Sequence, residues 1–349
     1  MSATILDRSA PSTGPAAPTV RRGSARLVAL LALALLVAVL LSLALGSRAI
    51  PLHRVVEVLL HDDGSEAATI VHSLRVPRTV LAVAVGLALG VAGALMQGHT
   101  RNPLADPGLL GVEAGASCAV VVAIYSLHVE SLAGYAWFAL GGAGLASVAV
   151  FAIGTTRGGP DPISLVLAGA AVSALLAALT QAIVVRDAQT LDAYRFWVVG
   201  SASGRSLSVF WQLLPFLVAG LALAALSTPG LNLLQLGDDV ATSLGLSPWR
   251  QKALGIGAVM LLTGAATAAC GPVGFVGLVV PHLARRLAGV DYRWLVPCSG
   301  LLGGLLVTLA DTVGRLVVRP AELQVGIVMA LIGGPAFVVL VRRMRMVRI

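Results

Sequence analysis

The stretch LVALLALALLVAVLLSLALG, residues 27–46, holds no charged side chain and a single hydroxyl. A helix needs about 20 such residues to cross the hydrocarbon core of a bilayer, so this run reads as a transmembrane span. It is long for the apolar region of a signal peptide, and the small-residue cleavage context is weak. It is therefore read as an uncleaved first span with a cytoplasmic N-terminus. The same texture recurs outward from it at residues 79–97, 108–125, 134–154, 163–185, 209–227, 253–270, 273–287, 295–314 and 325–341. The predicted fold is all-α, a polytopic membrane protein of about ten transmembrane helices. A cytoplasmic tail (1–26) precedes a single transmembrane domain (27–341), and a basic cytoplasmic tail (342–349) follows it.

Composition agrees. Of 349 residues, 57% are hydrophobic and 11% charged, where soluble domains carry about 25% charge, and the mean hydropathy is +0.92. That excludes a soluble core, a coiled coil and a disordered tail protein. The formal charge of +8 arises from 24 Lys+Arg against 16 Asp+Glu. With the N-terminus inside, most of those cations fall in cytoplasmic connections, as the positive-inside rule requires, so nucleic acid is not an expected partner. Among the outward cations, Arg75, Arg78, Arg315 and Arg319 stand close to span ends, where something acidic is expected to dock. The lone lysine, Lys252, precedes Ala253, so the chain has no phosphate loop of the GK[ST] type. Cys118, Cys270 and Cys298 have no CxxC spacing and read as small buried residues. Gly86, Gly90 and Gly93, with Gly300, Gly303 and Gly304, form patterns that let transmembrane helices approach closely.

The interruptions between spans are more telling. In RNPLADPG (residues 101–108) two prolines stop a helix, and Asn102 and Asp106 offer side-chain acceptors to freed backbone groups, giving a rigid polar turn. LRVPR (74–78) sets Pro77 at a helix start between two arginines. Breakers recur in GPVGFVGLVVPH (271–282) and RPAELQVG (319–326).

At these residues the chain resembles the permease subunits of iron-siderophore, haem and cobalamin ABC importers, the FecCD-type family. The blocks LRVPRT, RNPLADPGLLGV, RFWVVGS, TSLGL, CGPVGFVGLVVPHLARRL, LADTVGR and PAELQVGIVMALIGGPAFV run in family order between residues 74 and 338. The resemblance implies a type II importer permease fold in the cell membrane, with both termini cytoplasmic. It implies a second permease subunit, identical or paralogous, two ABC ATPases, and an extracytoplasmic substrate-binding protein. ATP and magnesium would belong to the ATPases, and no cofactor or metal to this chain. By the same resemblance, Arg75, Arg78 and Arg315 match arginines that dock the binding protein, and Asn102 and Leu104 match the cytoplasmic gate. Residues 235–252 match the loop that couples to the ATPase, with Asp238, Asp239, Ala241, Thr242, Leu244, Gly245 and Leu246 as its contacts. Ala241 and Leu244, at i and i+3, are expected on one face of a short amphipathic helix, and Gly245 is expected to permit the reversal after it.

Gln97 and Glu113 are candidate pathway residues. Glu113 stands where the family usually has Ser, an expected one or two turns inside the third span. An intramembrane carboxylate is a functional candidate by default, although near a helix end it can simply reach interfacial water. Gln324 and Gly334 also depart from the usual Pro and Ala. A proton- or sodium-coupled carrier needs coupling residues near the midplane, and Glu113 is the sole candidate. A membrane enzyme needs a convergent catalytic set, and the histidines and carboxylates do not cluster in sequence.

Overall fold

The computed structural model describes residues 22–156, 159–319 and 321–345. The N-terminal tail through residue 21, Arg157, Gly158, Pro320 and the chain from residue 346 lie outside the described residues. In chain order the helices are α1 (Arg22–Ala44), α2 (Leu52–Leu60), α3 (Glu66–Thr69), α4 (Val76–His99), α5 (Val112–Leu127), α6 (Leu132–Gly154), α7 (Pro162–Val184), α8 (Ala188–Val198), α9 (Leu207–Leu234), α10 (Asp238–Ser243), α11 (Pro248–Cys270), α12 (Val276–Ala288), α13 (Tyr292–Val317) and α14 (Val325–Arg345). A π-helical turn (Ile70–Arg75) joins α3 to α4 without a break, and a 3-10 turn (Pro107–Leu110) precedes α5. Two-residue strands, Thr155–Thr156 and Gly159–Pro160, pair antiparallel in the loop before α7.

Among the described residues, eight helices are long and apolar enough to cross a bilayer. Two of the ten expected spans are shorter. The one expected at 108–125 begins instead with the 3-10 turn, leaving 16 helical residues in α5. The one expected at 273–287 is α12, whose 13 residues extend about 20 Å against a core of about 30 Å. Gly271 and Gly274 with Pro272 keep the preceding segment non-helical, and α12 starts only after Phe275 adopts φ +69. It is a half-length helix that begins inside the bundle.

α4 is the central element. Its most apolar window is 78% buried, whereas that of α7 is 22% buried and faces outward. α9, α11, α12 and α13 all pack on α4. The expected glycine contacts are real: a Cβ at Gly86 would stand 2.3 Å from the Gly303 carbonyl oxygen, and one at Gly90 2.2 Å from that of Ser299. α4 and α13 therefore meet backbone to backbone, and dispersion between close main chains replaces the hydrophobic drive that lipid cannot supply. The ends sort cleanly. One rim gathers the start of α4, the ends of α1 and α13 and the start of α14, and the opposite rim gathers the end of α4, the end of α9, α10 and the starts of α11 and α13.

Candidate functional site

At the first rim, Arg75, Arg78 and Arg315 come together, but not as free outward charges. They are 5%, 7% and 3% exposed. Arg78 Nε donates to both Asp311 carboxylate oxygens at 2.9 Å, and its Nη1 donates to Ser203 Oγ at 3.3 Å and to Glu322. Arg315 Nη1 donates to the Ser42 and Leu45 carbonyls at 3.1 Å, Nη2 donates to Ser42 Oγ at 2.7 Å, and Nε lies 3.3 Å from Asp311. Arg75 donates to the Leu43 carbonyl at 2.6 Å and to that of Arg48. These side chains tie the ends of α1, α4 and α13 to the loop before α14. The physical reason is that a guanidinium carries five donors in a fixed fork, which suits it to helix-end carbonyls and buried carboxylates alike. They nevertheless wall an open cleft of about 370 Å³, together with Arg48, Arg205 and Glu322. Asp311 and Glu322, the counter-charges, were not singled out from sequence, although Asp311 stands four residues before Arg315, the spacing at which helical charges meet.

Beside the cleft, the RFWVVGS block finds its explanation. Gly200, at φ +76, would direct a Cβ to within 2.2 Å of the Pro272 carbonyl, and Gly326 would direct one to 1.9 Å of the Val199 carbonyl. Ser201 N–H donates to the Cys270 carbonyl at 2.6 Å and Gly326 N–H to that of Gly200 at 3.1 Å. The ends of α8 and α11 and the start of α14 thus join through main chain.

At the opposite rim, the polar turn forms as expected. Asn102 Oδ1 accepts from Leu104 N–H at 2.9 Å, and Asp106 Oδ1 accepts from Gly108 N–H at 2.8 Å. Asn102 is exposed and Leu104 half-buried. Burial pushes the Asp106 carboxyl above its ordinary range, against the opposing effect of the Gly108 N–H. Glu113 lies in the first turn of α5, closer to the helix end than expected, where a carboxylate is favoured by the helix dipole. A Cβ at Gly108 would lie 3.6 Å from its carboxyl, so Glu113 folds back over the turn. Gln97 does not face a channel in this chain. It is 2% exposed, donates to the Gly277 and Leu278 carbonyls at 3.1 and 3.2 Å, and accepts from Arg285 at 2.6 Å, locking α4 to the start of α12.

α10 forms where a coupling helix was expected, with Asp238 and Asp239 in its first turn. Gly245 takes φ +83, and the Leu246 N–H closes the turn on the Ala241 carbonyl at 3.0 Å. The shared-face expectation is corrected: Ala241 is fully buried against its own subunit, whereas Leu244 is 61% exposed. The outward apolar surface is made by Leu236, Val240 and Leu244. The hydroxyls of Thr242 and Ser243 are turned back onto helix carbonyls. Asp238 is the junction of this rim. It accepts from Arg101 at 2.5 Å and from Lys252 at 2.8 Å, while Arg101 also donates to the Leu234 carbonyl. Partial burial disfavours its charge, but the Lys252 and Arg101 contacts outweigh that and hold its carboxyl below the ordinary value. Among the described residues, no three His, Cys, Asp or Glu side chains gather as a metal-holding group.

Known proteins resemble this chain along most of its length. The profile of the FecCD transport family matches residues 34–343. The ferric enterobactin transport system permease protein FepD of Escherichia coli (strain K12) is 44% identical over 319 residues, covering 90% of this chain and 94% of that one. The iron(3+)-hydroxamate import system permease protein FhuB of Bacillus subtilis (strain 168) is 41% identical, covering 87% and 80%. A solved chain in an inward-facing conformation of a metal-chelate type ABC transporter superposes with a TM-score of 0.81 at 28% identity, covering 91% of this chain and 99% of that one.

Proposed function

Because this chain belongs to the FecCD transport family, we propose that it passes an iron(III)-siderophore inward across the cell membrane as one permease subunit of an ABC importer, with both termini in the cytoplasm. It is a transport subunit and not an enzyme. The observation that carries the reading is the full-length likeness to permeases named for ferric enterobactin and iron(3+)-hydroxamate import. The arrangement of the two rims supports it. The arginine-walled cleft supplies a positive field for acidic groups of a substrate-binding protein, and complementary charge of this kind governs orientation and encounter rate. At the opposite rim, α10 offers Leu236, Val240 and Leu244 to a cleft of a partner ATPase. Asp238 then joins that helix directly to the turn bearing Asn102 and Leu104, so a rigid-body push on α10 reaches the gate turn through one carboxylate. ATP and magnesium act on the ATPase, and a second permease copy or paralogue completes the pathway.

The test is reconstitution in vesicles with the ATPase and binding protein. Uptake of a ferric siderophore requires ATP, a proton or sodium gradient alone drives none, and Glu113→Ser stays within a few-fold of wild type. Gradient-driven accumulation by the isolated subunit, lost in Glu113→Gln, overturns the importer reading. Haem or cobalamin uptake in place of siderophore overturns the cargo alone.

A further inference from the structure

Between α9 and α13, at the rim that carries α10, a groove of about 690 Å³ lays bare part of α4. Leu87 and Val91 make its floor, and Ala225 and Pro229 line the α9 side. Gly300 keeps the floor open, since a Cβ there would come within 3.1 Å of Val91 and 3.2 Å of Leu87. The groove is vertical and bounded. Its walls run from Pro229 to Leu221 on α9 and from Arg293 to Leu301 on α13, a rise of about 12 Å each. Leu87, its deepest floor residue, stands about 18 Å along α4 from His99. One leaflet of a bilayer's hydrocarbon core is about 15 Å deep. The groove therefore opens at the membrane surface and stops near the midplane.

Arg293 stands at its mouth, in the first turn of α13. Its backbone N–H is held by Asp291 Oδ1 at 3.0 Å, whereas its guanidinium is exposed and has no hydrogen-bond or ion-pair partner among the described residues. An apolar slot one leaflet deep with a cation at headgroup level has the two chemistries of a single ligand. Basic pockets between transmembrane helices at the membrane surface are suited to anionic lipid headgroups. A transmembrane helix from another protein would continue through both leaflets, where this groove does not.

We propose that the groove holds one anionic phospholipid, an acyl chain lying on α4 and the phosphate at Arg293. The lipid then fills a gap in the packing around the central helix and fixes the spacing of α9 and α13 at the rim that carries α10.

The assembled transporter, extracted in mild detergent and examined by native mass spectrometry, tests this with phosphatidylglycerol and phosphatidylcholine of equal chain length. Phosphatidylglycerol is expected to be retained about five-fold better, the weight of one interfacial cation. Arg293→Gln should abolish that preference, and Ala225→Trp, which fills the slot, should reduce retention of both lipids. If Ala225→Trp does not assemble, Leu221→Trp on the exposed edge serves. Equal retention of the two lipids by wild type, an unchanged preference in Arg293→Gln, or displacement of phosphatidylglycerol by millimolar inorganic phosphate overturns the proposal. So does disulfide cross-linking of Leu301→Cys to a second copy or to a partner chain.

Discussion

Replacing Arg78 by Met separates a packing role from a docking role. In the native chain, Arg78 supplies two 2.9 Å bonds to Asp311, a carboxylate 1% exposed. Removing one partner of a buried pair costs about 3–5 kcal/mol, because the remaining charge is left without compensation. Arg315 remains 3.3 Å from Asp311, and Glu322, one-third exposed, regains water, so the lower end of that range, about 3 kcal/mol, is expected. Replacing both members, Arg78→Met with Asp311→Leu, should cost less than the single change, since apolar side chains of similar size commonly substitute for a buried pair without loss. The assay is thermal unfolding of the purified subunit in detergent, run beside uptake normalised to folded protein. A lowered melting temperature in the single variant, partly recovered in the double, is the expected outcome. If Arg78→Met melts like wild type and still loses uptake, the arginine acts on the binding protein and the packing argument is refuted.

Asp238→Asn should leave stability within about 1 kcal/mol, because Asp238 and Arg101 are exposed and Lys252 alone is half-buried, yet raise ATP hydrolysis per molecule transported. The charge on Asp238 should not make coupling pH-dependent between pH 7 and 5. Its folded carboxyl sits below the ordinary value, so its contribution is complete above that value and is lost only as pH falls through the depressed one, readable as a flat transport-to-hydrolysis ratio over that range. Gly245→Val should cost about 1–2 kcal/mol through backbone strain at φ +83 and impair coupling, whereas Gly245→Asn, tolerant of that conformation, should not; equal behaviour of the two in transport assays would discount the turn. Gly86→Ala should prevent α4 and α13 from closing, given the 2.3 Å approach, while Gly144→Ala, with nothing within 4 Å, should be silent in yield and melting.

The bundle was legible from sequence because lipid imposes length and hydropathy on every span, and the glycine rows of α4 and α13 announce their close contact. α12 was misread as a full span because apolarity extends through Val273 while its backbone does not. Only Phe275 at positive φ and the adjoining glycines mark the break, and a left-handed Phe has no sequence signature. The motif glycines Gly200, Gly271 and Gly326 were seen as blocks but not as one junction, since they meet across more than a hundred residues of chain. The rim arginines were found, but their burial was not, because Asp311 is four residues from one of them and over two hundred from the other. Ala241 and Leu244 show the opposite limit: helical spacing gave a shared face, but six residues of helix are too few to decide which side is covered.

The two rims differ in how they are fastened. Around Asp311, charges 1–8% exposed are bound in a dry network, while around Asp238 the partners are up to 45% exposed, so water can take over each bond as it breaks. The permease is consequently a clip riveted at one lip and latched at the other. Under the coupling role proposed for α10, force delivered there would spread the latched lip first, with the riveted lip as fulcrum and the central helix, gripped along its length by backbone contacts, as the lever.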